Sequence, residues 1–231
     1  MERYQPEPGK AKLMERTVKN MPTIDYSIYL VTDDGCLHGR DLLQCVDAAL
    51  RGGVTLVQYR SKHADGGKMY RQSLALKALC DKYNVPLIIN DRLDIAMAVG
   101  AAGVHVGQDD IPCGVVRQIL GDGYVIGVSA HNVTEAVQAA SDGTDYLGCG
   151  AVFGSVTKSD VTNLGLSNLA AIRKAVQLPM VGIGGVNAEN YASVLETGAE
   201  GAAIVSAILG ASDIEAAVRQ FAAVRNSFTK K

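Results

Sequence analysis

Several short stretches of this sequence place charge where apolar runs end. In "PLIINDRLD" the run Pro86 to Ile89 meets Asn90, Asp91 and Arg92 without a break. "GVHVGQDD" ends in Gln108, Asp109 and Asp110, and "VTLVQYRSK" in Gln58, Tyr59, Arg60, Ser61 and Lys62. Two carboxylates on neighbouring runs, Asp91 and Asp110, suit a hard divalent cation such as Mg²⁺, which keeps waters and completes its shell with substrate phosphates. Arg60, Lys62 and Lys158 supply cations: arginine matches phosphate oxygens bidentately and lysine acts as a point charge. "VGIGGVNAEN" and "AAIVSAI" suggest a second anion site, with Gly184, Gly185 and Ser206 offering backbone N–H groups, a helix N-terminus and a hydroxyl. Each feature has a plainer account. Asp91 could cap a helix, single lysines are usually solvated, and "GIGG" could be a tight turn that needs glycine for its backbone alone. Taken together they describe one pocket with two anionic ends, a diphosphate with Mg²⁺ and a monophosphate. No Cys/His pair and no Ser/His/Asp set has convincing spacing for a nucleophile. Metal-assisted departure of diphosphate, with a second phosphorylated substrate capturing the electrophile, fits better than covalent catalysis.

Residues so far apart in sequence need elements that bring them together. Eight apolar runs recur, at 27–32, 54–60, 86–90, 103–107, 124–129, 145–150, 179–184 and 201–206. Most are short and continuous, as parallel strands covered on both faces should be. Helical patterns separate them at 39–53, 67–84, 132–143, 166–176, 187–198 and 213–228, with shorter ones near 92–99 and 112–120. Asn132 is the expected N-cap of its helix. Eight βα alternations at even spacing predict a TIM (β/α)8 barrel, preferred over an open doubly wound sheet. Its active site belongs at the C-terminal ends of the strands, and the polar tips of strands two to eight all fall there. The expected organisation is an N-terminal arm with a short helix over residues 1–25 and one catalytic barrel domain over 26–231.

Composition bounds the rest. The chain has 231 residues, 48% hydrophobic and 20% charged, with net charge −2. That balance disfavours a sequence-independent nucleic-acid binder, which is usually basic, and no apolar run approaches the roughly 20 residues of a membrane helix. Cys36, Cys45, Cys80, Cys113 and Cys149 are odd in number and lack CxxC spacing. Reduced, buried thiols in a cytoplasmic protein are the expectation. The first 20 residues lack the apolar core of a signal peptide.

Weaker candidates surround the main set. His105 lies inside strand four, where a hydrogen-bonded core histidine is commoner than a catalyst. His131 could line the mouth or simply start a helix. Tyr59 alternates with Gln58 and Arg60, so its side chain could face the helix layer. The polar segment 154–165 is long for a βα loop and could be a lid or an ordinary loop.

In order and spacing, "YLVTD", "VQYRSK", "IINDR", "GVHVGQDD", "GVSAH", "TKSD", "VGIGGV" and "IVSAI" resemble the thiamin phosphate synthase family over roughly residues 26–226. The resemblance implies an alkyl or aryl transferase of thiamin biosynthesis. Such an enzyme joins a hydroxymethylpyrimidine diphosphate to a thiazole phosphate, giving thiamin phosphate and diphosphate by a dissociative, Mg²⁺-dependent route. It implies that Gln58, Tyr59, Arg60, Ser61, Lys62, Asn90, Ser129 and Lys158 bind the pyrimidine diphosphate, with Arg60, Lys62, Ser129 and Lys158 catalytic, and that Asp91 and Asp110 hold Mg²⁺. Ser155, Val156, Thr157, Gly185, Val205 and Ser206 would bind the thiazole phosphate. The partners are then small phosphorylated molecules, with no nucleic acid and no membrane, and a homo-oligomer stays open. The chain departs from the family's usual Pro-Thr-x-Thr-Lys with Gly154, Ser155, Val156, Thr157 and Lys158, which loosens that loop. Ser61 replaces a larger residue and Asp109 a common Glu.

Two other functions compete. A sister barrel that rearranges a thiazole phosphate would need only the monophosphate site, and the retained Arg60, Lys62, Asn90, Asp91, Asp110 and Lys158 argue against it. A non-catalytic binder of thiamin phosphates is separated from the enzyme by a turnover assay.

Overall fold

A computed structural model describes residues 23–154 and 164–228 of the chain. Eight parallel strands close into a barrel: β1 (Ile28–Val31), β2 (Leu56–Tyr59), β3 (Leu87–Asn90), β4 (Gly103–Val106), β5 (Val125–Ala130), β6 (Tyr146–Gly150), β7 (Met180–Ile183) and β8 (Gly201–Ile204). β1 pairs with β2 through Leu30 and Val57 and with β8 through Leu30 and Ile204, so no sheet edge remains open. Each strand falls within, or one residue beyond, the run that predicted it. This is the TIM barrel expected from the alternation, and the open sheet is excluded.

Around it run α1 (Leu42–Gly52), α2 (Gly66–Lys82), α3 (Leu93–Val99), α4 (Cys113–Leu120), α5 (Val133–Ser141), α6 (Gly165–Ala175), α7 (Tyr191–Glu196), α8 (Ser206–Leu209) and α9 (Ile214–Phe228). Their starts follow side-chain chemistry. Asp41, Asp65 and Asn132 each accept a backbone N–H three residues on, at the first turns of α1, α2 and α5, satisfying a donor that the helix leaves orphaned. None of these helices is long and apolar enough to cross a membrane. The short helix expected in the N-terminal arm lies outside the described residues.

Strand alternation divides the core in two. Ile28, Leu30, Val57, Tyr59, Leu87, Ile89, Val104 and Val106 face the helices and join one large apolar layer. Tyr29, Val31, Leu56, Ile88, Val125, Tyr146, Val181 and Ala203 fill the barrel interior. The lower interior is therefore packed rather than hollow, and Gln58, Asn90, His105 and Ser129 add polar side chains towards the C-terminal ends. All five cysteines are free and buried, as the sequence suggested.

Candidate active site

The principal pocket lies at the C-terminal mouth of the barrel. Gln58 and Arg60 of β2 and its loop, Asn90 of β3, Ser129 of β5, Gly185 beyond β7, and Val205 and Ser206 beyond β8 all line it. Seven positions singled out in the sequence thus share one cavity, delivered by five strands.

Arg60 is held from two sides. Its backbone N–H donates to the Thr32 hydroxyl at 2.9 Å, and that hydroxyl donates back to the Arg60 carbonyl at 3.1 Å. Its guanidinium pairs with Asp33 at 2.7 Å, both side chains being mostly buried. Ion pairs of low exposure are less screened than surface pairs, so Asp33 fixes where that cation points. Asp33 escaped the sequence reading because "VTDDG" resembles an ordinary turn. Its partner lies 27 residues away.

The Lys62 ammonium donates to Asp91 at 2.7 Å, above the tip of β3. Asp91 adopts φ +61°, the left-handed region, which few non-glycine residues enter and Asp tolerates best. Its N–H donates to the His105 carbonyl at 2.8 Å, anchoring that turn on β4. Asp110 accepts the Gly107 N–H at 2.7 Å. Burial raises the Asp110 carboxyl above the usual carboxylate range and nearby Asp91 pushes the same way, against the lowering effect of the Gly107 N–H. Asp91, beyond β3, thus lies close enough to act on Asp110, beyond β4. Neither they nor Lys62 are among the residues walling the cavity; Asp91 directly follows the lining residue Asn90 and pairs with Lys62. Among the described residues no group of three or more His, Cys, Asp or Glu is arranged to hold a metal. An all-protein cage is thus not what this pair offers; two carboxylates suit a cation that shares its shell with water and phosphate.

Two predicted contacts change character. The Tyr59 side chain is fully buried in the helix-facing layer and donates to Gln72 Oε1 at 2.6 Å. Only its backbone can face the mouth, because period-two alternation sends it opposite to Gln58. Ser61 donates to Asp34 at 2.6 Å and so ties the β2 loop to the turn after β1. Ser155, Val156, Thr157 and Lys158 lie outside the described residues.

Beyond β7, Gly184 and Gly185 have φ +94° and +67°. A Cβ on Gly184 would stand 2.6 Å from that of Ala151. The turn after β7 thus needs glycine both for its backbone angle and to lie against the start of the β6 loop. Asn190 closes it by donating to the Gly185 carbonyl at 3.0 Å.

The floor holds what sequence reasoning undervalued. Tyr29, Tyr146 and His105 are buried beneath Gln58 and Ser129 and hydrogen-bond to one another and to those two residues. The readable signal was tyrosine on inward strand positions with glycine opposite. A Cβ on Gly127 would fall 2.2 Å from Tyr146 Cζ and 2.5 Å from His105 Nδ1. His131 also lines the pocket and is bound to Glu135 at 2.8 Å.

With this geometry in place, comparison with known proteins is specific. Residues 28–208 match the family described as thiamine monophosphate synthase. The thiamine-phosphate synthase of Chloroflexus aurantiacus is 48% identical over 202 residues, covering 87% of this chain and 93% of that protein. That of Clostridium acetobutylicum is 45% identical over 211 residues, 91% of this chain and 100% of the other. The solved thiamine phosphate pyrophosphorylase from Pyrococcus furiosus superposes with a TM-score of 0.82 at 35% identity, covering 88% of this chain and 98% of its own.

Proposed function

The chain belongs to the thiamine monophosphate synthase family, and from that premise we propose how its own residues carry out the synthesis of thiamin phosphate. The enzyme is a transferase that joins an aminopyrimidine bearing a diphosphooxymethyl arm to a thiazole phosphate, releasing diphosphate. The observation that supports the residue assignment is the shared mouth: Gln58, Arg60, Asn90, Ser129, Gly185, Val205 and Ser206 line one cavity, and Asp91, the residue after Asn90, pairs with Lys62.

Gln58, Asn90 and Ser129 hold the pyrimidine and the root of its diphosphate arm. Arg60, Lys62 and Lys158 bind the diphosphate and stabilise the charge it gains on leaving. Asp91 and Asp110 hold Mg²⁺, which when bound supplies further positive charge to the departing group. The fit rests on chemistry: two neighbouring carboxylates, with Asp110 raised by burial and by Asp91, would gain from a bound dication. Ser155, Val156, Thr157, Gly185, Val205 and Ser206 receive the thiazole phosphate. The carbon–oxygen bond to diphosphate breaks first, the ring amine stabilises the resulting methylene cation, and the thiazole nitrogen then bonds to that carbon. Arg60, held by Asp33, and the packed floor supply orientation rather than a nucleophile.

One catalytic barrel domain over 26–231 and an N-terminal arm over 1–25 complete the proposed organisation, with residues 1–22, 155–163 and 229–231 lying outside the described residues. The five buried, unpaired thiols suit a reducing cytoplasm. The test mixes both phosphorylated precursors with protein and Mg²⁺. Thiamin phosphate is expected, and EDTA is expected to stop its formation. Absence of product would overturn the functional reading, and undiminished product in EDTA would overturn the metal assignment.

A further inference from the structure

Beneath the pocket, one chain of hydrogen bonds crosses the barrel from β2 to β5. Gln58 Nε2 donates to Tyr29 Oη at 2.6 Å, Tyr29 Oη lies 2.7 Å from Tyr146 Oη, Tyr146 Oη 3.0 Å from His105 Nδ1, and His105 Nε2 3.0 Å from Ser129 Oγ. Five strands contribute one residue each. Both ends of the chain, Gln58 and Ser129, line the cavity; Tyr29 and His105 between them form part of its floor, and Tyr146 lies behind them. From this we infer that Tyr29, Tyr146 and His105 are positioning residues. They form a one-way relay that fixes which hydrogen-bonding groups Gln58 and Ser129 offer to the substrate's pyrimidine.

The direction follows from counting hydrogens. Tyr29 is 1% exposed and Tyr146 is 0% exposed, and burial pushes both phenols well above their ordinary range, so each keeps its one O–H. A buried O–H left without an acceptor is costly. Since Tyr29 Oη already accepts from Gln58, its hydrogen goes to Tyr146 Oη. The Tyr146 hydrogen then goes to His105 Nδ1. That nitrogen must carry a lone pair, which puts the imidazole proton on Nε2, where it is donated to Ser129 Oγ. Ser129 is thereby left with its own O–H to give to the pocket. Gln58 gives one of its two amide hydrogens to Tyr29, which fixes the orientation of the amide and leaves Oε1 as its acceptor. A donor and an acceptor fixed in this way match the ring nitrogen and exocyclic amine of an aminopyrimidine. The same polarity removes a tempting alternative: the Ser129–His105 contact looks like a nucleophile and its base, yet an imidazole that donates to the hydroxyl cannot take its proton.

The barrel is shaped around this relay. Gly127 leaves the space that Tyr146 and His105 occupy, and a Cβ on Gly148 would lie 3.0 Å from His105 Cε1. The Tyr146 ring stands edge-on to Tyr29, with centroids 6.0 Å apart, and tilted over Tyr26 at 4.9 Å, so neither phenol can swing away.

The inference rests on the proposed pyrimidine assignment, and its test has one arm that does not. Nitrogen-15 NMR of histidine-labelled, ligand-free enzyme, with the His105 signal assigned by its loss in His105→Gln, should show protonated Nε2 and bare Nδ1. A proton on Nδ1 would overturn the relay. In the second arm, Tyr146→Phe and Tyr29→Phe should each raise KM for the pyrimidine diphosphate roughly tenfold to a hundredfold, the scale of one buried hydrogen bond left unmade. KM for the thiazole phosphate should stay unchanged. A folded variant with unaltered pyrimidine KM would also overturn the proposal. If either variant does not fold, the wild-type tautomer still decides. Wild-type enzyme without synthase turnover would instead sink the functional reading and leave the tautomer result standing.

Discussion

Arg60 and Asp33 illustrate how much of this site is decided by single side chains. An arginine at the end of a strand has many rotamers to lose, and the 2.7 Å pair with Asp33 selects one before substrate arrives. Asp33→Ala should therefore lower kcat/KM for the pyrimidine diphosphate roughly tenfold, about 1.4 kcal/mol, without changing the thermal midpoint. A higher kcat/KM would show that Asp33 competes with diphosphate for Arg60 instead of presenting it. The buried thiols give a second prediction. Burial pushes Cys80 and Cys149 up to about 12, against about 8.5 for an ordinary cysteine. Above pH 8.5 the unfolded chain releases these protons while the folded one keeps them. The stability they contribute is therefore complete below that pH and falls as pH rises towards 12. Urea midpoints measured between pH 7 and 10 should decline, and both thiols should resist iodoacetamide until the protein unfolds. The tips Gln58, Arg60, Asn90, Asp91 and Ser129 were legible because a strand end announces itself by an apolar run that stops. Tyr29, Asp33 and Tyr146 were not, since their roles depend on neighbours 27 to 117 residues away.

Elements divide the labour between the two ends of the barrel. At the N-terminal face, Asp145 accepts the Ile126 N–H at 2.7 Å and pairs with Arg117, which also donates to the carbonyls of Gly121, Tyr124 and Gly143. Glu200 likewise accepts the Met180 N–H at 2.7 Å. These carboxylates satisfy amides near the start of β5 and β7, far from the mouth. Asp145→Ala should cost roughly 1–3 kcal/mol in urea unfolding, as a partly buried donor loses its acceptor, while kcat and both KM values stay near wild type. A loss of turnover in the folded variant would contradict the division. Element type was readable from periodicity, and boundaries followed local chemistry that periodicity cannot see. The helix expected over 187–198 starts only at Tyr191, because Asn187 Oδ1 accepts the N–H groups of Glu189 and Asn190 and holds that stretch as a turn. The helix expected from 39 starts at Leu42, since His38 and Gly39 sit in the left-handed region and cannot extend it backwards. The short α8 begins at Ser206, the last residue of the run that reads as strand eight, and was not expected.

At the scale of the whole molecule, closure of eight strands is what turns scattered residues into a site. Gln58 and Ser206 are 148 positions apart in the chain (206 − 58) and line the same cavity. Even spacing of βα units made that convergence foreseeable, because a closed parallel barrel sends every strand's C-terminal end to one face. In the proposed reaction this face has a diphosphate side, built on β2, β3 and β4, and a thiazole phosphate side, built beyond β7 and β8. Steady-state kinetics of Asp91→Ala, with each substrate varied in turn, tests that division most directly. The expected result is a fall of at least about a hundredfold in kcat/KM for the pyrimidine diphosphate, the scale of losing one strong electrostatic stabiliser, with KM for the thiazole phosphate unchanged. Wild-type turnover in the variant, or a loss expressed only in the thiazole phosphate KM, would contradict it.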